Sequence, residues 1–167
     1  MRTPRFALAG LVLAALHAGP AAALKVGERA PEIAAQKDGS TPLRLAAYKG
    51  QVVLLDFWAS WCGPCKQSFP WMNTLHARYA AQGLRIVAVN VDQRREDGER
   101  FLAQRPAQFL VGWDAEGATP AAYEVKAMPS SVLIGADGRV VHIHAGFRDE
   151  DAAALEARIV AALAERR

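Results

Sequence analysis

Cys62 and Cys65 are the only cysteines in the 167 residues, and they stand three apart in Trp61-Cys62-Gly63-Pro64-Cys65-Lys66. The stretch follows an apolar run, Val52-Val53-Leu54-Leu55-Asp56-Phe57-Trp58, and opens a segment with helical spacing. A buried strand running into a Cys-x-x-Cys at a helix start is the context that marks a redox dithiol. The physical reason is charge. The first turn of a helix has unpaired N–H groups and the positive end of the dipole, which favour a thiolate placed there. Cys62 would occupy that end and act as the nucleophile. Cys65, one turn deeper, would attack a mixed disulfide formed on Cys62.

Other uses of a Cys pair fit less well. A structural zinc site needs four ligands, with a second Cys or His pair at motif spacing. His76, His142 and His144 do not form one. A c-type haem site needs His directly after the second cysteine, and Lys66 is there instead. Copper carriage by Cys62, Cys65 and a His is the alternative from another functional class. His142 and His144 share one face of a strand and could serve it, although a solvated sheet face is the simpler reading. A Met-rich or His-rich tract is missing. No metal and no cofactor is expected.

The elements that position the dithiol can be read in chain order. Residues 33–35 and 43–45 flank the turn Lys37-Asp38-Gly39-Ser40 and predict a small β-hairpin. Residues 52–58 are nearly all apolar, as suits a strand covered on both faces. The helix from Cys62 carries Phe69, Met72, Leu75 and Tyr79 on one stripe, with Pro70 inside it, and ends near Gly83. A second buried strand spans 84–91, a surface helix 94–104, and a short strand 109–111. A helical turn is expected at 120–123. Met128-Pro129 leads into strands 131–134 and 140–144, joined by a tight Asp137-Gly138 turn. An Ala-rich helix over 149–166 closes the chain. Strand, helix, strand, helix, hairpin and helix make a mixed sheet with helices on both faces. The dithiol lies at the carboxyl end of a central strand.

Composition bounds the setting. Residues 1–23 carry Arg2 and Arg5 and no acid, so the net charge of +3 falls to +1 without them, 18 basic residues against 17 acidic. Scattered charge of that size makes no case for nucleic acid. The basic start, the apolar run from Phe6 to Leu16 and the small residues Ala21-Ala22-Ala23 read as a signal peptide over 1–23. A retained anchor is the alternative, but the run is short and Gly19-Pro20 interrupts it. The mature domain, 24–167, is then expected in an oxidising periplasm, where a reducing dithiol depends on a dedicated donor.

The stretch from Val52 to Lys66 resembles the active-site strand and motif of thioredoxins. Gly27, Ala30-Pro31, Gly50, Asp56-Phe57-Trp58-Ala59-Ser60-Trp61, Pro70, Val89-Asn90-Val91, Met128-Pro129-Ser130 and Asp137-Gly138 resemble the TlpA-like/ResA-like branch, exported thiol–disulfide oxidoreductases of bacterial envelopes. The resemblance covers residues 25–165. It implies a thioredoxin fold, Cys62 attacking, Cys65 resolving, and a cis Met128–Pro129 peptide facing the dithiol. Trp61, Gly63, Pro64, Met128 and Pro129 would meet the substrate. Exported proteins with disulfides are the implied substrates, cytochrome c maturation or metal-site assembly the implied settings, and a membrane thiol donor of the DsbD/CcdA type the implied partner. A monomer is expected. This chain departs from the branch at two points. Ser68 stands where a Glu is common, and Asp56 stands where Asn is common. The acid that serves the second cysteine has in effect moved to Asp56, whose place inside an apolar strand predicts burial and a raised pKa.

Overall fold

A computed structural model describes residues 24–166. The expected signal peptide, 1–23, lies outside the described residues. The sheet has five strands: β1 (Val52–Trp58), β2 (Leu84–Asn90), β3 (Leu110–Trp113), β4 (Ser130–Ile134) and β5 (Val140–Ala145). Their order is β3-β2-β1-β4-β5. β1 pairs with β2 in parallel and with β4 antiparallel, β2 pairs with β3 in parallel, and β4 with β5 antiparallel. The helices are α1 (Cys65–Tyr79), α2 (Arg95–Gln104), α3 (Ala118–Ala122) and α4 (Ala152–Glu165). The mixed sheet, with its parallel centre and antiparallel hairpin, is the architecture expected from the sequence.

β1 is central, and every one of its seven residues is buried. Successive side chains of a strand point to opposite faces, so a strand covered on both sides must be apolar throughout. Leu54 and Trp58 join one core with Phe69, Met72 and Leu75 of α1, Phe101 of α2, and Ile159 and Leu163 of α4. Val53, Leu55 and Phe57 join the other, with Tyr123 beyond α3 and with Ala30, Ile33, Ala35, Leu43 and Leu45 of the N-terminal arm.

That arm departs from the expected hairpin in form. The antiparallel return exists, with Lys37 N donating to Thr41 O at 2.8 Å and Leu43 N to Ala35 O at 2.9 Å. It makes an isolated bridge at Gln36–Pro42 and no two-stranded ladder, and Leu45 opens a 3-10 turn, Leu45–Tyr48. The arm's backbone goes to the main sheet instead. Gln36 exchanges hydrogen bonds of 3.0 and 2.8 Å with Trp113, the last residue of β3, and so shields the outer edge of that strand there.

The arm crosses β3 at Gly112. A Cβ there would lie 2.5 Å from Leu43 Cδ1 and 3.2 Å from Ala35 Cβ. Leu43 is itself buried and has no free direction in which to swing. Gly112→Ala should therefore destabilise the fold by about 1–3 kcal/mol, the usual range for overpacking. A lowered urea midpoint with an unchanged slope would show it, and an unchanged midpoint would mean that the arm does not press on β3.

Candidate active site

Helix α1 begins at Cys65, three residues later than the sequence suggests, with Pro64 as its cap residue. Proline suits the start of a helix because it lacks the N–H that would go unpaired there. Cys62 thus lies in the turn ahead of the helix. The backbone N–H of Cys65 donates to Cys62 Sγ at 3.2 Å. The next donors are already used, Lys66 N by Gly63 O and Gln67 N by Pro64 O. One orphan N–H of the first turn is therefore aimed at the sulfur of Cys62, where the helix dipole also favours negative charge. The two cysteines are joined in a disulfide with Cα atoms 5.4 Å apart.

The loop that delivers Cys62 is braced from β2. Ser60 donates through both its backbone N and its hydroxyl to Asp92, each at 2.9 Å. Asn90, the last residue of β2, donates its amide to Asp92 at 2.8 Å and accepts from Asp92 N at 3.0 Å. The buried Asp92 thereby closes the gap between the ends of β1 and β2. The sequence reading passed over this clasp, since nothing but Asn-x-Asp at a strand end marks it.

The residues singled out in the sequence fall into different settings. Trp58 is a core side chain that touches Phe69 and Phe101, each at 4.9 Å between centroids. Trp61 stands 70 % exposed beside the disulfide. The Met128–Pro129 peptide is cis, as the resemblance implies. Ser68 is buried, and its hydroxyl donates to Cys65 O at 3.2 Å. His142 and His144 differ from expectation. Their face is not open to solvent but half-covered beneath α4, where they line a small cavity with Leu155, Arg158 and Ile159, while Ile143 is the exposed residue of the strand. Among the described residues no group of three or more His, Cys, Asp or Glu side chains could hold a metal ion, and the copper reading gains no support.

Asp56 is only 1 % exposed and lies on the α1 side of the sheet, between Leu54 and Trp58 in the strand that leads to the dithiol. Burial strips its carboxylate of water and pushes its pKa up to about 7, against an ordinary 3.8. The hydroxyl of Ser131 donates to Oδ1 at 2.8 Å and opposes that rise in part. Oδ2 has no hydrogen-bond partner. A buried acid that titrates near neutrality is equipped to take or give a proton at working pH.

A Cys-x-x-Cys disulfide where a buried strand runs into a helix start is the mark of a thiol exchanger, and known proteins bear this out. The Redoxin family profile matches residues 25–159. This chain belongs to the Redoxin family. The redoxin is 33 % identical over 124 residues to the thiol–disulfide oxidoreductase ResA of Bacillus subtilis, covering 74 % of this chain and 69 % of that one. It is 35 % identical over 124 residues to ResA of Geobacillus thermodenitrificans, covering 74 % and 71 %. Among solved structures, a putative thiol:disulfide interchange protein DsbE from Chlorobium tepidum superposes with a TM-score of 0.81 at 50 % identity, over 84 % of this chain and 99 % of that one. The redoxin is a thiol–disulfide oxidoreductase with a thioredoxin fold, of the ResA-like kind.

The buried acid gives this redoxin a pH-dependent stability. Between pH 3.8 and about 7 the folded chain keeps the Asp56 proton that the unfolded chain has lost, so stability falls as pH rises through that window. At about 1.4 kcal/mol per pH unit the loss approaches about 4 kcal/mol. Asp56→Asn removes the titration. The variant should match the parent near pH 4 and exceed it by a few kcal/mol at pH 8 in urea unfolding. A difference between the two chains that stays constant across this range would show that Asp56 is not held neutral by burial.

Proposed function

We propose that the dithiol works as a reductant of disulfides in exported proteins, with Cys62 attacking, Cys65 resolving and Asp56 moving the proton of Cys65. The observation that carries this reading is the Cys65 N–H aimed at Cys62 Sγ at the helix start. In the reduced chain that donor and the dipole would hold Cys62 as the thiolate. The thiolate attacks one sulfur of a substrate disulfide, forming a Cys62–substrate bond and releasing the other substrate sulfur as a thiolate. Cys65 then gives its proton to the Asp56 carboxylate and attacks Cys62 Sγ. The intramolecular disulfide forms, the mixed disulfide breaks, and the second substrate thiolate leaves. Two electrons pass from the dithiol to the substrate, and the released thiolates take protons from solvent.

Trp61, Gly63, Pro64, Met128 and Pro129 are assigned to the substrate surface. Trp61 supports this assignment, because a large aromatic left exposed beside a reactive sulfur can cover a bound peptide. Residues 1–23 act as a signal peptide, residues 24–167 form one thioredoxin-like domain, and the mature chain works in the periplasm as a monomer. No helix among the described residues is long and apolar enough to cross a membrane. A membrane thiol donor of the DsbD/CcdA type would return electrons to the oxidised dithiol. The Gly63-Pro64 dipeptide between the cysteines favours the reducing direction, since thioredoxin, with the same dipeptide, sits near about −270 mV.

Four measurements test this function. The reduction potential should lie near about −250 mV or below, and a value near about −120 mV would make the protein an oxidant. Cys65→Ser should trap substrate mixed disulfides on Cys62, and iodoacetamide should alkylate Cys62 ahead of Cys65. Adducts trapped in Cys62→Ser instead would reverse the assignment. Asp56→Asn should slow resolution more than the first attack, and adding Ser68→Glu should restore part of the rate. Stopped-flow rates that do not change in Asp56→Asn would remove the acid from the mechanism.

A further inference from the structure

Asp56, if it accepts the Cys65 proton as proposed above, must be ionised again before the next turnover, by returning the proton to Cys65 as the disulfide is re-reduced or by releasing it to solvent. Its surroundings leave few exits. It is buried, Oδ2 touches no polar group, and Oδ1 touches only Ser131. The sheet register continues the line outward. Asp56 stands opposite Ser131 across β1–β4, and Ser131 stands opposite His144 across β4–β5. Residues directly opposed on paired strands share a face, with Cβ atoms about 5 Å apart. The three side chains therefore form a row across the sheet beneath α4, from the centre to the edge strand. Ser131 and His144 line one cavity of about 10 Å³, the size that admits a single water. His144 Nε2 is buried without a hydrogen-bond partner, as is Trp71 Nε1 on the same cavity. The same Nε2 lies 3.7 Å from Asp151 Oδ2, and the two side chains are 21 % and 19 % exposed, so other atoms of the pair reach solvent.

We propose that Ser131 and His144 are the proton outlet of the active site, carrying the Asp56 proton along this row to solvent beside Asp151. Each member has the chemistry the step requires. A hydroxyl donates and accepts at once, so Ser131 can take a proton from the protonated Asp56 on one lone pair while releasing its own outward. Imidazole likewise accepts at one nitrogen and donates at the other. Asp151 is kept charged by Arg148, which donates to its carboxylate at 3.1 and 3.2 Å, so negative charge waits where the proton emerges. The positive groups near His144 are Arg158 of α4 and, on its own strand, His142, whose basicity is lowered by burial and then by Arg158 and His144. Ser131 and His144 are positioning residues here, since neither is placed against the reacting sulfurs.

Turnover is followed in dilute buffer under multiple-turnover conditions, with a disulfide-linked peptide as substrate and dithiothreitol as the electron donor. Ser131→Ala and His144→Gln should each slow it several-fold, with Ser131→Thr near the parent rate. Added imidazole should restore His144→Gln, because a small carrier replaces a group at the surface. It should not restore Ser131→Ala, whose gap lies inside. A loss of packing would slow both variants equally at every buffer concentration and would leave imidazole without effect, which overturns the outlet. Asp56→Asn separates the outlet from the reading it rests on. If Asp56→Asn is slow while Ser131→Ala and His144→Gln run at the parent rate, the acid stands and the outlet falls. If Asp56→Asn is unchanged, both fall.

Discussion

A strand with neighbours on both edges and cover on both faces has nowhere to move, and β1 is that strand in this protein. Its two edges are taken by β2 and β4, and its two faces by the helical core and the N-terminal arm. The direction and height of the chain as it leaves Trp58 are fixed by these four contacts. Everything chemical follows from that exit: the braced loop to Cys62, the proline-led start of α1, and a sulfur held against a free N–H. Burial of the strand is also what perturbs Asp56, so one constraint sets both the place of the dithiol and the acidity of Asp56.

Keeping an acid in this strand has a thermodynamic cost that a leucine would not incur. The fold bears it with a single hydroxyl, Ser131, and no counter-charge. A full ion pair would have held Asp56 ionised and lowered its pKa. One neutral donor leaves the carboxyl able to change state near pH 7, as the role proposed for Asp56 requires. The site is therefore less stable than the fold could have made it, in the way functional sites commonly are.

The parts of this design written in contiguous residues were legible in the sequence. The apolar run of β1, the Cys-Gly-Pro-Cys turn, the stripe on α1 and the Asp137-Gly138 hairpin are local signals with local causes. What could not be read depended on register between distant segments. Asp56 meets Ser131, 75 residues on, only because β4 pairs with β1 in one particular alignment. His142 and His144 looked solvated because alternation tells which residues share a face and not which element covers it. The N-terminal arm alternates like a hairpin, yet its apolar residues pack on the sheet and Gln36 bonds to Trp113, so tertiary contact overrode the local pattern. The helix start shifted from Cys62 to Cys65 because Pro64 takes the cap, a detail that periodicity does not resolve.

The clasp of Asp92 on Ser60 bears on recognition. Since the loop ahead of Cys62 is held by two hydrogen bonds that Ser60 donates to Asp92, just past the end of β2, the ordering of this surface is completed during folding and not at encounter. The conformational entropy lost on forming a complex then falls almost wholly on the partner. A surface of this kind ranks its clients by how loosely their disulfide-bearing segments are held. An unfolded chain, already extended, is engaged at little penalty beyond its own immobilisation. A folded protein must first release the segment, so its own stability protects its disulfides from this enzyme.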